Sequence, residues 1–417
     1  MIITDSNIPW LKDLPKDWEI KKVKDKFVFN NLTTKDYEKY PTLSLTMSGV
    51  KERDVASNEG QLPESFENYN LVNKECLVFN PMDLISGWVD VPTETGLISP
   101  SYKTLKINSE DVYIDYIKYY FQSLYSQKIL FNFGEGVHHE YRWGISKETL
   151  KNFPIPLPKK DEQHLIVNHL DKTLNLINNA CIKIERKIDL LEEQRLSIIK
   201  KLITKGIKSV CEYKESKNEW IGQIPVDWNV KKLKYVAKII YGISPKETSY
   251  NDQAHGTILV NGPLEYSKTD FGKTRSLKWT TEPTKIIPKD SLLFCLRGST
   301  TGRMNIAHDD VCIGRGVCAI RSEINQKFLV YCMTLIRLYI QDQISGSTFP
   351  SVTKDDVDNF VVPFPNIEEQ NEIVHFLDMK IESINKLILL EKKRIKSLIN
   401  FKQSLIFDYI IGKKRLI

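Results

Sequence analysis

Two long stretches with helical periodicity dominate the pattern of apolar and polar positions. From Asp161 to about Lys205 the chain has no proline or glycine, and apolar residues alternate at spacings of three and four. The same spacing returns from Leu377 to Tyr409. A 3/4 spacing kept over so many turns is typical of a coiled-coil seam. The sequence therefore predicts two long amphipathic helices, with these seam residues: Leu170, Ile177, Ile184, Leu191, Arg195, Leu377, Ile384, Ile395, Leu398 and Lys402.

A cation interrupts each seam at the same place, because Arg195 and Lys402 are 402 − 195 = 207 residues apart. A polar residue in a seam can fix the register of two helices. Alternatively, each cation extends its charge to water from the edge of the seam. Two such helices bury their apolar stripes most simply against each other, and we expect them to pair antiparallel.

Shorter apolar runs precede each long helix. Glycine, proline, asparagine and serine separate these runs, which is typical of strands in compact β or α+β domains. The predicted strands include 43–45, 77–80, 258–260 and 292–295. Helices are predicted at 113–125 and 328–344.

The chain contains an internal duplication. An opening block at 14–24 recurs at 224–234, with its tryptophans 228 − 18 = 210 residues apart. A closing block, Phe153 to Asp171, recurs as Phe360 to Asp378 at an offset of 207. The order and spacing predict an α+β fold in which an antiparallel coiled coil separates two mixed α/β domains with pseudo-twofold symmetry. We place the domains at 1–158 and 211–365, and the helical segments at 159–210 and 366–417.

Composition adds few constraints. The net charge is only +6, so any DNA-facing charge has to be local. Seven cysteines without a CxxC pattern indicate free thiols, and no stretch has the length and apolarity of a signal peptide or membrane span. We therefore expect a reduced, cytoplasmic protein without a metal site.

The repeated blocks resemble those of the specificity (S) subunits of type I restriction–modification enzymes. The resemblance rests on the opening blocks, on the closing blocks with their Glu-Gln pairs at 162–163 and 369–370, on the tail 403–413 and on the segment 290–303. It implies two target recognition domains that each read half of a bipartite site in double-stranded DNA. Because the two domains diverge, the site should be asymmetric.

The same resemblance implies the partners. Two modification (M) subunits would carry the adenine-N6 methyltransferase with S-adenosylmethionine. Restriction (R) subunits would use ATP and Mg to cut DNA. No cofactor is expected in this chain.

Catalytic motifs are not recognisable in the sequence. The segment Phe79–Asp83 lacks the second proline and the final aromatic residue of an amino-methyltransferase loop, and we interpret it as a strand followed by a turn. The segment Gly298–Arg303 has neither the spacing nor the lysine of a P-loop. We expect a non-catalytic chain. The alternatives are a coiled-coil scaffold with protein-binding terminal domains and a stand-alone methyltransferase or nuclease.

Polar and cationic residues in the loops are the candidates for DNA contact, because base edges and phosphates are read by such side chains. We predict as DNA-binding: Ser44, Ser48, Lys51, Arg53, Asn80, Tyr102, Arg142, Arg297, Ser299, Arg303, Arg315, Ser347 and Thr348.

Overall fold

The computed structural model describes residues 3–5, 8–54, 65–136, 143–208, 211–267, 272–298, 300–344 and 351–416. The chain divides into two units. Unit 1 comprises Met1–Arg186 and Glu391–Ile417, and unit 2 comprises Lys187–Leu390. The boundary between the units therefore runs through both long helices.

Unit 1 begins with short strands, continues with two four-stranded sheets and ends on a long helix. Its elements are β1 Ile3–Asp5, β2 Asp13–Pro15, β3 Glu19–Lys22, α1 Val23–Lys26, β4 Phe27–Phe29, β5 Thr42–Thr46, β6 Gly49–Glu52, β7 Asn70–Val72, β8 Cys76–Phe79, β9 Val89–Asp90, β10 Gly96–Ile98, β11 Lys103–Ile107, α2 Ile114–Ser126, α3 Lys147–Lys151, β12 Pro154–Leu157 and the long helix α4 Lys160–Lys205, of which 160–186 belong to this unit.

The four-stranded sheets of unit 1 have the orders β6-β5-β10-β7 and β4-β11-β8-β9. Strands β5 and β10 pair parallel, whereas their other neighbours are antiparallel. One face of β8 and α2 form a core with the first turns of α4, and all four residues of β8 are buried. The helix predicted at 113–125 and the strands predicted at 43–45 and 77–80 are thus found within one residue of their expected bounds.

Unit 2 repeats this order of elements. They are β13 Tyr213–Glu215, β14 Gln223–Pro225, β15 Asn229–Lys232, β16 Ala237–Tyr241, β17 Tyr250–Asn251, β18 Thr257–Val260, β19 Trp279–Thr280, β20 Ile286–Ile287, β21 Leu292–Cys295, β22 Met304–Ile306, β23 Val311–Ile313, β24 Val317–Ser322, α5 Gln326–Ile344, α6 Lys354–Asn359, β25 Val361–Phe364 and the long helix α7 Ile367–Ile410, of which 367–390 belong to this unit.

The main sheets of unit 2 have the orders β16-β24-β21-β22 and β17-β19-β18-β23-β20. Strands β18 and β23 pair parallel, as β5 and β10 do in unit 1. Strand β21 lies beside β24 as β8 lies beside β11. The sheet of β16 therefore matches that of β4 strand for strand, and the sheet of β18 matches that of β5 except for the additional strand β17 in unit 2. This confirms the mixed α+β fold and shows that the duplication extends into the divergent parts of the sequence.

The two repeated sequence blocks are hydrogen-bonded to each other in each unit. In unit 1, β3 of the opening block pairs antiparallel with β12 of the closing block, with Lys21 opposite Ile155. In unit 2, β15 pairs with β25, with Lys231 opposite Val362. The registers are equivalent, since 231 − 21 = 210 and 362 − 155 = 207 are the offsets of the two blocks.

A buried hydrogen bond joins the opening block to the long helix in each unit. The indole Nε1 of Trp18 donates to Oε2 of Glu162 at 3.1 Å, and Trp228 donates to Glu369 at 2.9 Å. Both carboxylates lie in the first turn of their helix, where the helix dipole favours negative charge. The Glu-Gln pair of each closing block is therefore a structural anchor.

The last turn of the other long helix packs on the same tryptophan. Gly412 ends α7 with a positive φ of 71°, and a Cβ there would lie 3.3 Å from the Trp18 ring and 2.4 Å from Pro15. Gly206 ends α4 with φ 71°, and a Cβ there would lie 3.1 Å from the Trp228 ring. Both helices end on glycine because a residue without a Cβ adopts the left-handed conformation that ends a helix without steric cost.

Unit 1 adds a cation to its anchor. The guanidinium of Arg415 donates to both carboxylate oxygens of Glu162 at 2.9 Å and to both oxygens of Asp17 at 2.7 and 2.9 Å. The hydrogen bond from Arg415 holds the pKa of Asp17 below its usual value. In unit 2 the corresponding ion pair, Lys208 with Asp227, is longer at 4.0 Å.

The long helices pair antiparallel inside each unit. In unit 1, the ring centroid of His169 lies 4.8 Å from that of Tyr409, while Lys402 donates to Asn178 at 3.1 Å. From residue 169 to residue 178 of α4 the partner on α7 changes from residue 409 to residue 402, so the two helices run in opposite directions.

Unit 2 shows the same course. A Cβ on Gly206 would lie 3.1 Å from Glu369, while Arg195 donates to Asn385 at 3.0 Å. The two seam cations thus bond to equivalent asparagines, since 385 − 178 = 207. This geometry favours the register-fixing interpretation over a charge that merely extends to water.

Burial along the seam varies. Of the predicted seam residues, Leu170, Ile177, Ile184, Leu377 and Ile384 are buried, whereas Leu191, Arg195, Ile395, Leu398 and Lys402 are half-buried. In each helix the earlier of these residues are thus more buried than those around the seam cation.

The unequal anchors generate a prediction. Trp18→Phe and Trp228→Phe remove the same indole nitrogen, but Glu162 keeps Arg415, whereas Glu369 keeps no comparable donor among the described residues. A buried acceptor without a donor costs about 1–3 kcal/mol. We expect Trp228→Phe to reduce amide hydrogen-exchange protection in β24 of unit 2 more than Trp18→Phe does in β11 of unit 1. An equal or opposite ranking would contradict the anchor assignment.

Candidate nucleic-acid interface

The same two loops line a cleft in each unit. One loop follows β8 in unit 1 and β21 in unit 2. The other joins β10 to β11 and β23 to β24. In unit 2 they form a cleft of about 560 Å³, which we name the cation cleft and which is lined by Tyr241, Gly242, Leu296, Arg297, Gly298, Arg315, Ser351, Val352, Thr353 and Lys354.

The backbone around Arg297 is held by the segment before α6. The amide of Val352 donates to the carbonyl of Leu296 at 2.9 Å, and Arg297 forms an isolated antiparallel bridge with Ser351. Gly298 then turns the chain with a φ of 81°. The main chain that carries the Arg297 side chain is therefore fixed on both sides.

Arg315 stands between Gly314 and Gly316 on a second fixed loop. Its amide donates to the hydroxyl of Ser244 at 3.1 Å, and the amide of Gly314 donates to the carbonyl of Val260 at 3.0 Å. A Cβ on Gly314 would lie 1.8 Å from the side-chain oxygen of Asn261. Only glycine fits there, so the tight packing of this loop determines where Arg315 projects.

The two arginines of this cleft are not neutralised by acidic side chains of the described residues. Arg297 and Arg315 are exposed, and within the described ranges neither guanidinium donates a hydrogen bond or forms an ion pair. The ammonium of Lys354 lies 4.9 Å from the centre of the Tyr241 ring. The nearby carboxylates have other partners: Asp356 caps α6 through Thr353, and Asp358 accepts the hydroxyl of Tyr241. Burial and the bond to Asp358 raise the pKa of Tyr241, which keeps this hydroxyl protonated.

The equivalent cleft of unit 1 has different chemistry. It measures about 210 Å³, and we name it the hydroxyl cleft; its lining is Leu43, Ser44, Arg53, Tyr69, Met82, Ser99, Ser101 and Tyr102. The amide of Ile145 donates to the carbonyl of Pro81 at 2.8 Å, as Val352 does to Leu296 in unit 2. The two clefts therefore share two lining loops and the backbone bond that holds the first of them, and they differ in the rest of their lining and in the side chains they present.

Hydroxyl groups dominate the unit 1 cleft. Burial raises the pKa of Tyr102, so that its hydroxyl stays protonated. The amide of Ser101 donates to Oγ of Ser99 at 3.3 Å, which orders the loop between β10 and β11. Asn80 accepts from the amide of Met82 at 3.0 Å, so the predicted strand and turn at 79–83 are present.

The structure thus brings Ser44, Arg53 and Tyr102 together in one cleft and Arg297 and Arg315 in the other. Other predicted residues lie elsewhere: Ser48 and Lys51 are exposed at or beside the β5–β6 turn, Asn80 orders a turn beside the cleft, and Arg303 donates to the carbonyl of Ser267 at 3.3 Å. The predicted Arg142, Ser299, Ser347 and Thr348 lie outside the described residues.

Several lining residues were not predicted from sequence: Lys354 and Tyr241 in unit 2, and Tyr69, Met82, Ser99 and Ser101 in unit 1. Lys354 had a usable signal, because it follows Thr353, whose side chain and that of Asp356 form the capping box of α6. The others depend on loops brought together by sheet topology, which local periodicity does not reveal.

A further groove lies beside the long helix in each unit. In unit 1 the hydroxyl of Tyr119 on α2 donates to Asp171, and in unit 2 Tyr331 on α5 donates to Asp378 at 2.8 Å. The groove next to the first pair has a volume of about 660 Å³ and that next to the second about 470 Å³. Asn178 lines the first groove and its equivalent Asn385 lines the second.

The described residues contain neither a metal-binding cluster nor a membrane-spanning helix. Within the described ranges, no three His, Cys, Asp or Glu side chains are grouped so that they could hold a metal ion. All seven cysteines are free. No helix in the described part of the chain has the length and apolarity needed to cross a membrane.

Known proteins of one family are similar to this chain. Residues 225–399 match the family model "Type I restriction modification DNA specificity domain". The chain is 29% identical to the type I restriction enzyme MjaX specificity subunit of Methanocaldococcus jannaschii, over 97% of this chain and 95% of the relative. It is 25% identical to the MjaVIII specificity subunit of the same organism, over 97% and 94%.

Over nearly its whole length the chain is similar to type I restriction–modification specificity subunits. Solved structures share its fold. A chain from the structure described as "Structural basis underlying complex assembly and conformational transition of the type I R-M system" matches with a TM-score of 0.74 at 17% identity, over 95% of this chain and 98% of that one. The HsdS subunit from Thermoanaerobacter tengcongensis matches with a TM-score of 0.54 at 16% identity, over 99% and 100%.

The packing of the Arg315 loop generates a prediction with an internal control. Gly314→Ala forces the new Cβ against Asn261, whereas a Cβ on nearby Gly262 meets nothing within 4 Å. We expect Gly314→Ala to lower the melting temperature by several degrees, since overpacking costs about 1–3 kcal/mol, and to weaken DNA binding. Gly262→Ala should leave both close to wild type. Similar behaviour of the two variants in thermal melts and DNA-binding assays would reject the assigned loop geometry.

Proposed function

We propose that this chain is the DNA-sequence-specificity subunit of a type I restriction–modification complex, and that it binds an asymmetric bipartite site in double-stranded DNA. The observation that carries this proposal is the pair of clefts. Equivalent loops of two equivalent frames line them, yet the lining side chains differ. A duplicated frame with divergent loops is what reading two unlike half-sites requires.

The cation cleft has the chemistry needed for DNA. Arginine and lysine supply phosphate contacts, and arginine also reads base edges in the major groove. Arg297, Arg315 and Lys354 gather there although the chain as a whole carries a net charge of only +6. Local rather than overall charge therefore provides the electrostatic attraction.

The proposal assigns the reactions to partner subunits. Two M subunits would bind S-adenosylmethionine and methylate adenine, and R subunits joined through them would hydrolyse ATP with Mg and cut DNA. This chain would contribute recognition and assembly in the cytoplasm.

The duplicated grooves beside the long helices support docking of two M subunits. Exposed apolar residues stand at equivalent positions next to them: Ile182 on α4 is 60% exposed and Leu389 on α7 is 55% exposed, and 389 − 182 = 207. Large apolar side chains exposed at matching places indicate a contact surface that is used twice.

The function is tested by sequencing the methylated bases of the native strain with and without this gene. The proposal predicts that one bipartite adenine-methylation motif, with two different half-sites, disappears in the deletion strain and returns with the plasmid-borne gene. An unchanged methylation pattern, together with a purified complex that pulls down DNA without sequence preference, would favour a protein-binding scaffold instead.

The docking proposal predicts a stoichiometry. In the co-purified complex, Ile182→Asp and Leu389→Asp should each leave one M subunit bound instead of two, and the double variant should lose both. Ser397→Asp, also exposed on α7, is the matched control and should keep two. Native mass spectrometry measures the ratio; two M subunits bound to the double variant would exclude these positions from the contact.

A further inference from the structure

We propose that the second recognition domain reads guanine, through Arg297 and Arg315 of the cation cleft. The inference rests on the proposed function and adds the base class that unit 2 recognises. It predicts at least one G·C pair in the half-site of unit 2, contacted on the guanine edge in the major groove.

The first support is a comparison of equivalent positions. The loop after β8 carries Met82 in unit 1, and the equivalent loop after β21 carries Arg297 in unit 2. The next lining loop carries Ser99 and Ser101 in unit 1 and Arg315 in unit 2. A cation needed only for the common DNA backbone would be expected in both units. A change of side-chain type at matched places is expected where each domain reads its own bases.

The second support is the residue type. The planar guanidinium donates two parallel hydrogen bonds to O6 and N7 of guanine, which is the commonest specific contact in the major groove. Lysine acts as a point charge and suits phosphate better. Lys354, in the same cleft, lies over the Tyr241 ring and is therefore the candidate for the backbone contact.

The third support is preorganisation. Backbone hydrogen bonds on both sides hold the two arginine-bearing loops, and Gly314 and Gly298 shape them. A bidentate contact costs less conformational entropy when the loop that carries the arginine is already ordered before binding.

Two other arginines of unit 2 are bonded to the main chain. Arg275 donates to the carbonyl of Leu264 at 2.8 Å, and Arg303 donates to that of Ser267. A bond to the main chain restricts how a guanidinium can present its paired donors to a base, whereas Arg297 and Arg315 are exposed and unpartnered among the described residues.

Unit 1 provides the contrast. Its cleft offers the hydroxyls of Ser44, Ser99 and Ser101, which bond to any base, and the apolar end of Met82. The arginine of this cleft, Arg53, is half-buried and already interacts within the protein. Apolar contact suits the thymine methyl group. The two half-sites are therefore expected to differ in their guanine dependence.

The experiment uses the complete methyltransferase complex, expressed in a methylation-deficient host whose genome is then sequenced for methylated adenine. The variants are Arg297→Ala, Arg315→Ala, the conservative Arg297→Lys and Arg315→Lys, and Lys354→Ala. Ser99→Ala with Ser101→Ala in unit 1 identifies which half-site belongs to which unit.

The wild-type motif should contain guanine in the half-site that the unit 1 variants leave unchanged. Each alanine variant should relax the motif at one guanine position, with discrimination reduced about tenfold to a hundredfold. The lysine variants should not restore it. Lys354→Ala should lower methylation of all sites alike without changing the motif.

Two results would overturn the proposal: a unit 2 half-site without guanine, or alanine variants that retain the full motif. Failure of the proposed function is a different result, because no bipartite motif would then depend on the wild-type chain.

Discussion

The buried hydrogen bond from a tryptophan indole to a glutamate carboxylate is the contact on which each unit depends. It joins the opening block of a domain to the first turn of a long helix, and the glycine that ends the other long helix packs against the same indole. A carboxylate left buried without a donor is costly, so the bond fixes which helix turn meets which part of the domain. Strand pairing between the opening and closing blocks completes this frame.

Because the frame is repeated with equivalent contacts, the loops it carries can vary without loss of fold. Both units contain the parallel strand pair, β5 with β10 and β18 with β23. In both units an equivalent backbone hydrogen bond holds the loop that follows β8 or β21. Met82 and Arg297 therefore change the chemistry of a cleft while its backbone stays the same. In each unit the contacts of the frame are therefore kept, whereas the side chains of the cleft loops differ.

Much of the frame was predictable from sequence. The α4 and α7 helices follow from apolar spacing, and the blocks containing Trp18 and Trp228 follow from the repeat. The hydrogen bond from the tryptophan to the glutamate of each Glu-Gln pair was not predictable, because a contact between residues 144 positions apart leaves no periodic pattern in the sequence. For the same reason Tyr241 was missed and Arg303, whose guanidinium bonds to the main chain, was grouped with Arg315, because loop residues meet through sheet topology and not through sequence spacing. Lys354 was missed although the capping box beside it gave a signal.

The central claim is that equivalent frames carry interchangeable readers, and an exchange tests it most directly. In one chain, residues 27–152 of unit 1 are replaced by residues 237–359 of unit 2, with both pairs of opening and closing blocks retained. Sequencing of methylated bases in a host that carries the complex reports the motif. The account predicts a motif built from two copies of the unit 2 half-site. A folded, methylating complex that still recognises the original two half-sites would contradict it.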